Sequence, residues 1–169
     1  DIPNRLGVEG ENLPSVVHSL GDFEQLLSEC QVSASTDPVL VVGAGLSAAD
    51  AILTALESNI PVIHAFRRRP SDPTLIFSKL PKTMYPEYHH VHSLMKGKET
   101  SELYKPLPGY SVTEIKNNKV LVNCKRSGIV TWFDVSFAAI MIGSRPDLGF
   151  LPREGRHLGI VSDWPIYSK

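Results

Sequence analysis

The sequence has few cysteines, little net charge and no long apolar run. Its two cysteines, Cys30 and Cys124, form no CxxC pair and no histidine pattern accompanies them, which argues against a disulfide scaffold or a structural zinc site and favours a reducing compartment. The net charge of −1 offers no broad basic surface for nucleic acid or an anionic membrane. We therefore expect neither as a partner, and we expect no metal site.

Targeting signals are also missing. No apolar run approaches the roughly 18 residues that cross a bilayer, and no signal-peptide pattern is present, so we expect an intracellular, cytoplasmic protein without a membrane span. The chain starts at Asp1 instead of Met. We interpret it as a segment of a longer protein, whose own targeting signals cannot be read here.

The length and composition predict one domain over residues 1–169. A hydrophobic fraction of 42% is sufficient for a core. Residues 1–37 read as an extended lead-in followed by a helix that Asp22 caps and by a loop over residues 31–37. We see no internal repeat and no strong internal boundary.

The most informative stretch is residues 38–56. An unbroken apolar run at residues 39–42 predicts a strand buried on both faces. A small-residue turn follows, and residues 49–56 then show helical spacing of apolar side chains, with Asn59 as the stop of this helix. This order of strand, tight turn and helix is the dinucleotide-binding arrangement.

Each position of that turn has a role in holding a pyrophosphate. Gly43 permits the sharp turn, Gly45 lets backbone approach the phosphates, and Ala48 keeps the helix close to the strand. The amides of the first helical turn would face the anion. The predicted cofactor-binding residues here are Gly43, Ala44, Gly45, Leu46, Ser47 and Ala48. The alternative is a glycine turn kept for packing alone.

Three arginines follow the next predicted strand, which covers residues 61–66. Arg67 lies 24 residues after Gly43, near the spacing of about 20 at which an acidic residue would hold a ribose hydroxyl. Arginine at this position instead suits a 2′-phosphate, so Arg67 and Arg68 predict NADPH over NADH. A solvated basic loop is the alternative, and which of residues 67–69 reads the phosphate stays open.

The remaining chain predicts a helix and then several strands. Residues 83–95 read as a helix with an apolar stripe of Met84, Tyr88, Val91 and Met95, and we interpret its histidines as surface or packing residues and not metal ligands. Residues 107–110 predict a turn, and residues 111–115, 119–124 and 129–135 predict a three-stranded meander. A last buried strand ends at Gly143-Ser144. The fold class is therefore α/β: a Rossmann-like FAD/NAD(P)-binding domain with a central parallel sheet and a β-meander crossover.

At this point the sequence resembles a known group. The run from Gly43 to Asp50 is similar to the second, NADPH-binding fingerprint of flavin-dependent N-hydroxylating and class B monooxygenases, and the strand before Gly143 is similar to their later motif, with Ile142 where threonine is usual. More narrowly, the whole chain resembles the oxidative stress-induced growth inhibitor family.

The resemblance implies a parent flavoprotein that uses FAD, NADPH and dioxygen and that restrains growth or promotes differentiation. It implies that Asp50, Gly143 and Ser144 join the cofactor-binding set, and that the partner of this segment is the flavin domain of the same parent chain. Asp50 is either an orienting residue near the cofactor or a favourable charge at the helix start. No residue is an obvious catalytic acid, base or nucleophile, Ser47 included.

Two functions remain open from the sequence. One is the NADPH-binding domain of a monooxygenase-like oxidoreductase linked to oxidative stress. The other is a regulatory protein of growth and differentiation that keeps the nucleotide-binding fold without efficient turnover. Ile142 favours the second slightly. No second GxGxx(G/A) pattern occurs, so a FAD site would lie elsewhere in the parent.

Overall fold

A five-stranded parallel sheet forms the centre of the computed structural model, which describes residues 1–33 and 37–147, with backbone alone for residues 30–33. The strand order is β2-β9-β3-β4-β5. These strands are β2 (Val16–Val17), β3 (Val39–Val42), β4 (Val62–Phe66), β5 (Tyr104–Pro108) and β9 (Ala138–Ile140). Every residue of β3 and β4 is buried, as the apolar runs predict.

Two layers cover this sheet. The helices α1 (Leu20–Ser33), α2 (Leu46–Glu57) and α3 (Pro86–Met95) belong to one core cluster, with Val39 and Val41. The alternate residues Leu40 and Val42 belong to a second cluster, on the opposite face. That cluster is completed by an antiparallel sheet of β6 (Tyr110–Lys116), β7 (Lys119–Cys124) and β8 (Val130–Asp134).

This arrangement confirms the predicted fold class. Along the chain, the meander lies between β5 and β9, which both belong to the parallel sheet, as the prediction of a β-meander crossover requires. A further pair of short strands, β1 (Ile2–Pro3) and β10 (Ser144–Arg145), runs antiparallel and brings the start of the chain to the residues that follow β9.

Helix α2 ends where the sequence predicts. Asn59 adopts a left-handed conformation, with φ of 56°. Its N–H donates to the Leu56 oxygen at 3.0 Å, and the Ile60 N–H donates to the Ala55 oxygen at 2.9 Å. These two bonds form a Schellman motif, in which asparagine replaces the usual glycine.

Helix α1 begins earlier and ends later than predicted. The Asp22 N–H donates to the Ser19 hydroxyl oxygen at 3.2 Å, so Ser19 caps the helix and the assignment of Asp22 as the cap was wrong. Ser19 lies one residue before the helix and its oxygen satisfies a first-turn amide. The helix continues to Ser33, through the first part of the predicted loop.

Two other boundaries differ from the sequence analysis. The predicted turn at residues 107–110 is confined to Gly109, which has φ of 77°, because Leu107 and Pro108 belong to β5, at the edge of the parallel sheet, and Tyr110 begins β6. Proline lacks an N–H, so Pro106 and Pro108 suit an edge strand. Helix α3 begins at Pro86, which leaves Met84 outside it and 67% exposed, whereas Val91 and Met95 are buried as expected.

Two of the three α3 histidines contact backbone oxygens on separate parts of the chain, and His90 contacts the Glu99 carboxylate. His89 Nε2 lies 2.8 Å from the Leu80 oxygen, and His92 Nε2 lies 2.8 Å from the Pro70 oxygen. Among the described residues, no group of three or more His, Cys, Asp or Glu side chains could hold a metal ion. Cys124 is a free thiol. Within the same residues, no helix combines the length and apolar character needed to cross a membrane.

Candidate functional site

A cavity of about 380 Å³ opens at the carboxyl edge of the parallel sheet. It lies at the end of β3. The next strand along the chain, β4, pairs with one side of β3, and the much later strand β9 pairs with the other side. In open α/β sheets this reversal of strand order creates a crevice for ligands. Of the predicted cofactor-binding residues, six line the cavity: Gly43, Ala44, Gly45, Arg67, Arg68 and Gly143.

Gly43 is required by a close backbone approach. A Cβ atom added there would lie 2.1 Å from the Met141 oxygen, and the residue has φ of 129°. The strands converge on this point, since the Gly43 N–H donates to the Ala65 oxygen at 3.0 Å and the Met141 N–H donates to the Val42 oxygen at 2.8 Å. Glycine therefore lets β9 pass directly beside the turn.

The first turn of α2, which follows the glycine turn, has backbone amides without a partner inside the helix. Gly45 is the N-cap and makes no side-chain capping bond. The first backbone hydrogen bond runs from the Ala49 N–H to the Gly45 oxygen at 3.1 Å, so the amides of Leu46, Ser47 and Ala48 are left for an outside acceptor. Leu46 and Ser47 are exposed, and Ala48 is buried in the helix-side core.

The two lining arginines differ in their partners. Arg68 Nη1 donates to the Thr74 hydroxyl at 2.7 Å, and Thr74 in turn donates to Asp72 through its amide and its hydroxyl. Those bonds from Thr74, with a smaller contribution from the Arg68 charge, lower the pKa of Asp72. Arg67 makes no hydrogen bond or ion pair within the described residues. Arg69 is exposed and lies outside the cavity lining.

Asp50 lies outside the cavity lining. Its Oδ1 accepts a hydrogen bond from the Tyr88 hydroxyl at 3.0 Å, which joins α2 to α3. Burial, followed by this bond, raises the pKa of Tyr88. The contact adds a third role, that of a link between helices, to the two roles that the sequence left open.

Three consecutive residues after β9, Met141, Ile142 and Gly143, line the cavity. Gly143 has φ of 87°, and its oxygen accepts from the Asn4 N–H at 2.9 Å. Ser144 pairs with Pro3 in the β1–β10 ribbon, is exposed and does not line the cavity.

Residues that no sequence motif predicted also line the cavity. Tyr110, Ser111 and Val112 come from the start of the meander, and Leu6 comes from the lead-in. The Leu6 backbone is held by Glu11, whose buried carboxylate accepts from the amides of Leu6 and Gly7 at 2.8 and 2.7 Å. No local motif marks these residues as site residues.

Glu11 also contacts His18. The His18 Nε2 lies 3.0 Å from Glu11 Oε1. Burial raises the pKa of Glu11, but the bonds from His18, Leu6 and Gly7 outweigh it and the pKa is lowered. The carboxylate thus remains ionised and fixes the lead-in against the domain.

A buried histidine lies directly beneath the glycine turn. His64, at the middle of β4, is 1% exposed. Its Nε2 lies 2.5 Å from the Gly43 oxygen and its Nδ1 lies 2.7 Å from the Tyr104 hydroxyl oxygen. A carbonyl oxygen can only accept, so Nε2 carries the proton and Nδ1 accepts from Tyr104. Burial lowers the pKa of His64 to about 4, although the bond to Gly43 opposes this.

The sequence of the chain matches named relatives along its whole length. It is 44% identical to oxidative stress-induced growth inhibitor 1 from Homo sapiens and 43% identical to oxidative stress-induced growth inhibitor 2 from the same organism, with all of this chain covered in both cases. The chain spans about a third of the length of these relatives, 36% and 35% respectively. No protein-family model matches the chain.

Solved structures share the fold at low sequence identity. A bacillithiol disulfide reductase from Bacillus cereus gives a TM-score of 0.63 at 23% identity over 89% of this chain and 40% of its own. An NAD-dependent persulfide reductase from A. fulgidus gives 0.63 at 16% identity over 91% and 26%. An L-lysine 6-monooxygenase from Pseudomonas syringae gives 0.59 at 16% identity over 94% and 47%. These likenesses support the fold.

Proposed function

Because this chain belongs to the oxidative stress-induced growth inhibitor family, we propose that it forms the NADPH-binding segment of a flavin-dependent, monooxygenase-like oxidoreductase. The observation that carries the proposal is the convergence of the glycine turn and two guanidinium groups on one cavity at the reversal of strand order. A glycine turn kept for packing alone would need no adjacent arginines.

The turn fits a pyrophosphate in both shape and polarity. The cavity is lined by Ala44 and Gly45, whose small or absent side chains let backbone amides approach phosphate oxygens closely. The unpaired amides of Leu46, Ser47 and Ala48 add the positive end of the α2 dipole.

The arginines fit a 2′-phosphate. Both Arg67 and Arg68 follow the strand next to β3, and both line the cavity. A guanidinium group binds phosphate through two charge-assisted hydrogen bonds. We assign Arg67 as the principal ligand, since Arg68 already donates to Thr74.

The flavin of such a protein would be held outside this chain, in the flavin domain of the parent. When bound, NADPH supplies a hydride and the flavin supplies the reaction with dioxygen. The task of the present residues is to bind and orient the dinucleotide. We place the parent in a reducing, cytoplasmic compartment, which the free thiol of Cys124 supports.

Calorimetric titration of the purified protein with NADPH and NADH tests this proposal. We expect NADPH to bind more tightly. We expect an Arg67→Ala, Arg68→Ala double variant to lose about 2 kcal/mol of NADPH binding, roughly 30-fold in affinity, because the phosphate loses its charged donors. NADH binding should change little.

Arg69→Ala is the matched control, because Arg69 is an adjacent exposed arginine outside the cavity lining. It should bind NADPH like the unmodified protein. Equal losses for NADPH and NADH in the double variant, or an equal loss from Arg69→Ala, would contradict the 2′-phosphate assignment.

A regulatory protein without efficient turnover is the second candidate. Ile142 supports it, because an aliphatic side chain lines the cavity where the resembling monooxygenases usually have threonine. NADPH oxidation by the FAD-loaded parent separates the two candidates. Oxidation that depends on FAD supports the enzyme, and an absence of oxidation with intact NADPH binding supports the regulator.

A further inference from the structure

We propose that His64 is a positioning residue that holds the Gly43–Ala44 peptide with its N–H toward the cavity. This inference rests on the proposed function, since it concerns how the same turn receives a pyrophosphate. His64 does not line the cavity and acts through the backbone of Gly43.

His64 does not line the cavity, although its neighbours in β4 do. Along β4, side chains alternate between the two faces. Ala65 belongs to the meander-side cluster, Phe66 belongs to the helix-side cluster, and both line the cavity. His64 therefore lies on the opposite, helix-side face, where its ring packs against Phe66 with centroids 4.7 Å apart.

The hydrogen bond from His64 sets the direction of the peptide. The Gly43 oxygen accepts from Nε2 at 2.5 Å, so this carbonyl points to the helix side. In a trans peptide the C=O and the following N–H point in opposite directions. The Ala44 N–H consequently points away from His64, and Ala44 lines the cavity, where an anion would accept this N–H.

The reverse orientation would oppose anion binding. If the peptide flipped, the Gly43 carbonyl oxygen would face the phosphate oxygens and repel them. Glycine permits such a flip more readily than other residues, because it has access to a wide range of backbone angles. Because this turn requires glycine, a separate interaction is needed to fix the orientation of the Gly43–Ala44 peptide.

Tyr104 fixes the tautomer of His64. Its hydroxyl lies 2.7 Å from Nδ1 of His64 and donates to it, so the imidazole proton is kept on Nε2 and the donor always faces Gly43. Both groups are buried. The pair connects β5, β4 and the end of β3 in one chain of hydrogen bonds.

Two probes test recognition of the pyrophosphate and of the 2′-phosphate separately. ADP-ribose has the pyrophosphate without a 2′-phosphate, and 2′-AMP has the 2′-phosphate without a pyrophosphate. In calorimetric titrations of the purified protein we expect His64→Leu to weaken ADP-ribose roughly tenfold through the loss of an oriented amide, with 2′-AMP within about twofold. His64→Gln, which keeps an N–H donor near the Nε2 position, should recover most of the affinity for ADP-ribose.

Tyr104→Phe provides a second variant should His64→Leu fail to fold. It keeps the imidazole and removes only the donor to Nδ1, so we expect a smaller loss for ADP-ribose, roughly threefold, and again little change for 2′-AMP. Imidazole ¹⁵N spectra should show the neutral Nε2–H form in the unmodified protein and a mixture of tautomers in Tyr104→Phe.

The outcomes distinguish this inference from the proposed function. If the unmodified protein binds neither probe, the proposed function is overturned. If it binds both, and the variants retain full ADP-ribose affinity or lose both probes equally, only the positioning role of His64 is overturned. An Nδ1–H tautomer in the unmodified protein would also overturn that role, independently of any ligand.

Discussion

The parallel sheet and the meander place similar apolar sequences in different surroundings. All five residues of β4 are buried, whereas no residue of β8 is buried. Strand β4 has α-helices on one face and the meander on the other. Strand β8 is the outer strand of a sheet that covers a core on one face only.

This difference explains how the two regions contribute to the site. The parallel strands carry the glycine turn and the arginines at their carboxyl ends, and dense packing on both faces fixes the strands from which these residues extend. The meander adds a wall through Tyr110 and Val112. The two regions should therefore respond very differently to equivalent substitutions.

The largest difference is expected between two glycines with positive φ. Gly43→Ala should destabilise the protein by about 4 kcal/mol, because its Cβ would collide with the Met141 oxygen in addition to the backbone strain. Gly128→Ala, in the turn between β7 and β8, meets nothing within 4 Å and has φ of 70°, so strain alone should cost about 1 kcal/mol.

Guanidinium unfolding of both variants measures these free energies. Equal destabilisation by the two substitutions would contradict the close approach of β9 to the turn.

The buried His64 should make the free energy of unfolding of the protein depend on pH. The pKa of His64 is lowered from 6.5 to about 4. Between these values the unfolded chain binds a proton that the folded protein does not. The corresponding stability is fully present above pH 6.5 and is lost as the pH falls toward 4, by about 3 kcal/mol in total.

Urea unfolding at a series of pH values checks this prediction, with His64→Gln as the reference. Glu11 and His92 also have lowered pKa values, so the difference between the two proteins isolates His64. A parallel fall in stability for both proteins would show that His64 is not the source.

The smallest difference is expected from a matched pair of valines. Val41→Ala removes two methyl groups from a residue with 0% exposure in β3 and should cost about 2 kcal/mol. Val130→Ala makes the same change at a residue that is 54% exposed in β8 and should cost less than about 0.5 kcal/mol. Thermal unfolding measures both, and similar shifts in the two variants would contradict the difference in packing between the two sheets.

The sequence alone was sufficient where local chemistry decides local structure. Four consecutive apolar residues mark β3, the glycines mark the turn, and Asn59 marks the end of α2. The meander was also predicted, because polar turns separate its strands. Each of these features depends on neighbours within a few residues, so a reader of the sequence has all the information needed.

The tertiary structure decided what depends on residues far apart in the chain. His64 meets Gly43 across 21 residues and Tyr104 across 40, and Asp50 meets Tyr88 across 38. A single histidine in an apolar strand indicates that its ring nitrogens need buried hydrogen-bond partners. Which residues these partners are follows from the strand order. The sequence therefore determined the glycine turn as a local motif, because its residues are adjacent in the chain. Only the packing of β4, β5 and β9 around the turn decided which buried groups contact it and which residues enclose the cavity.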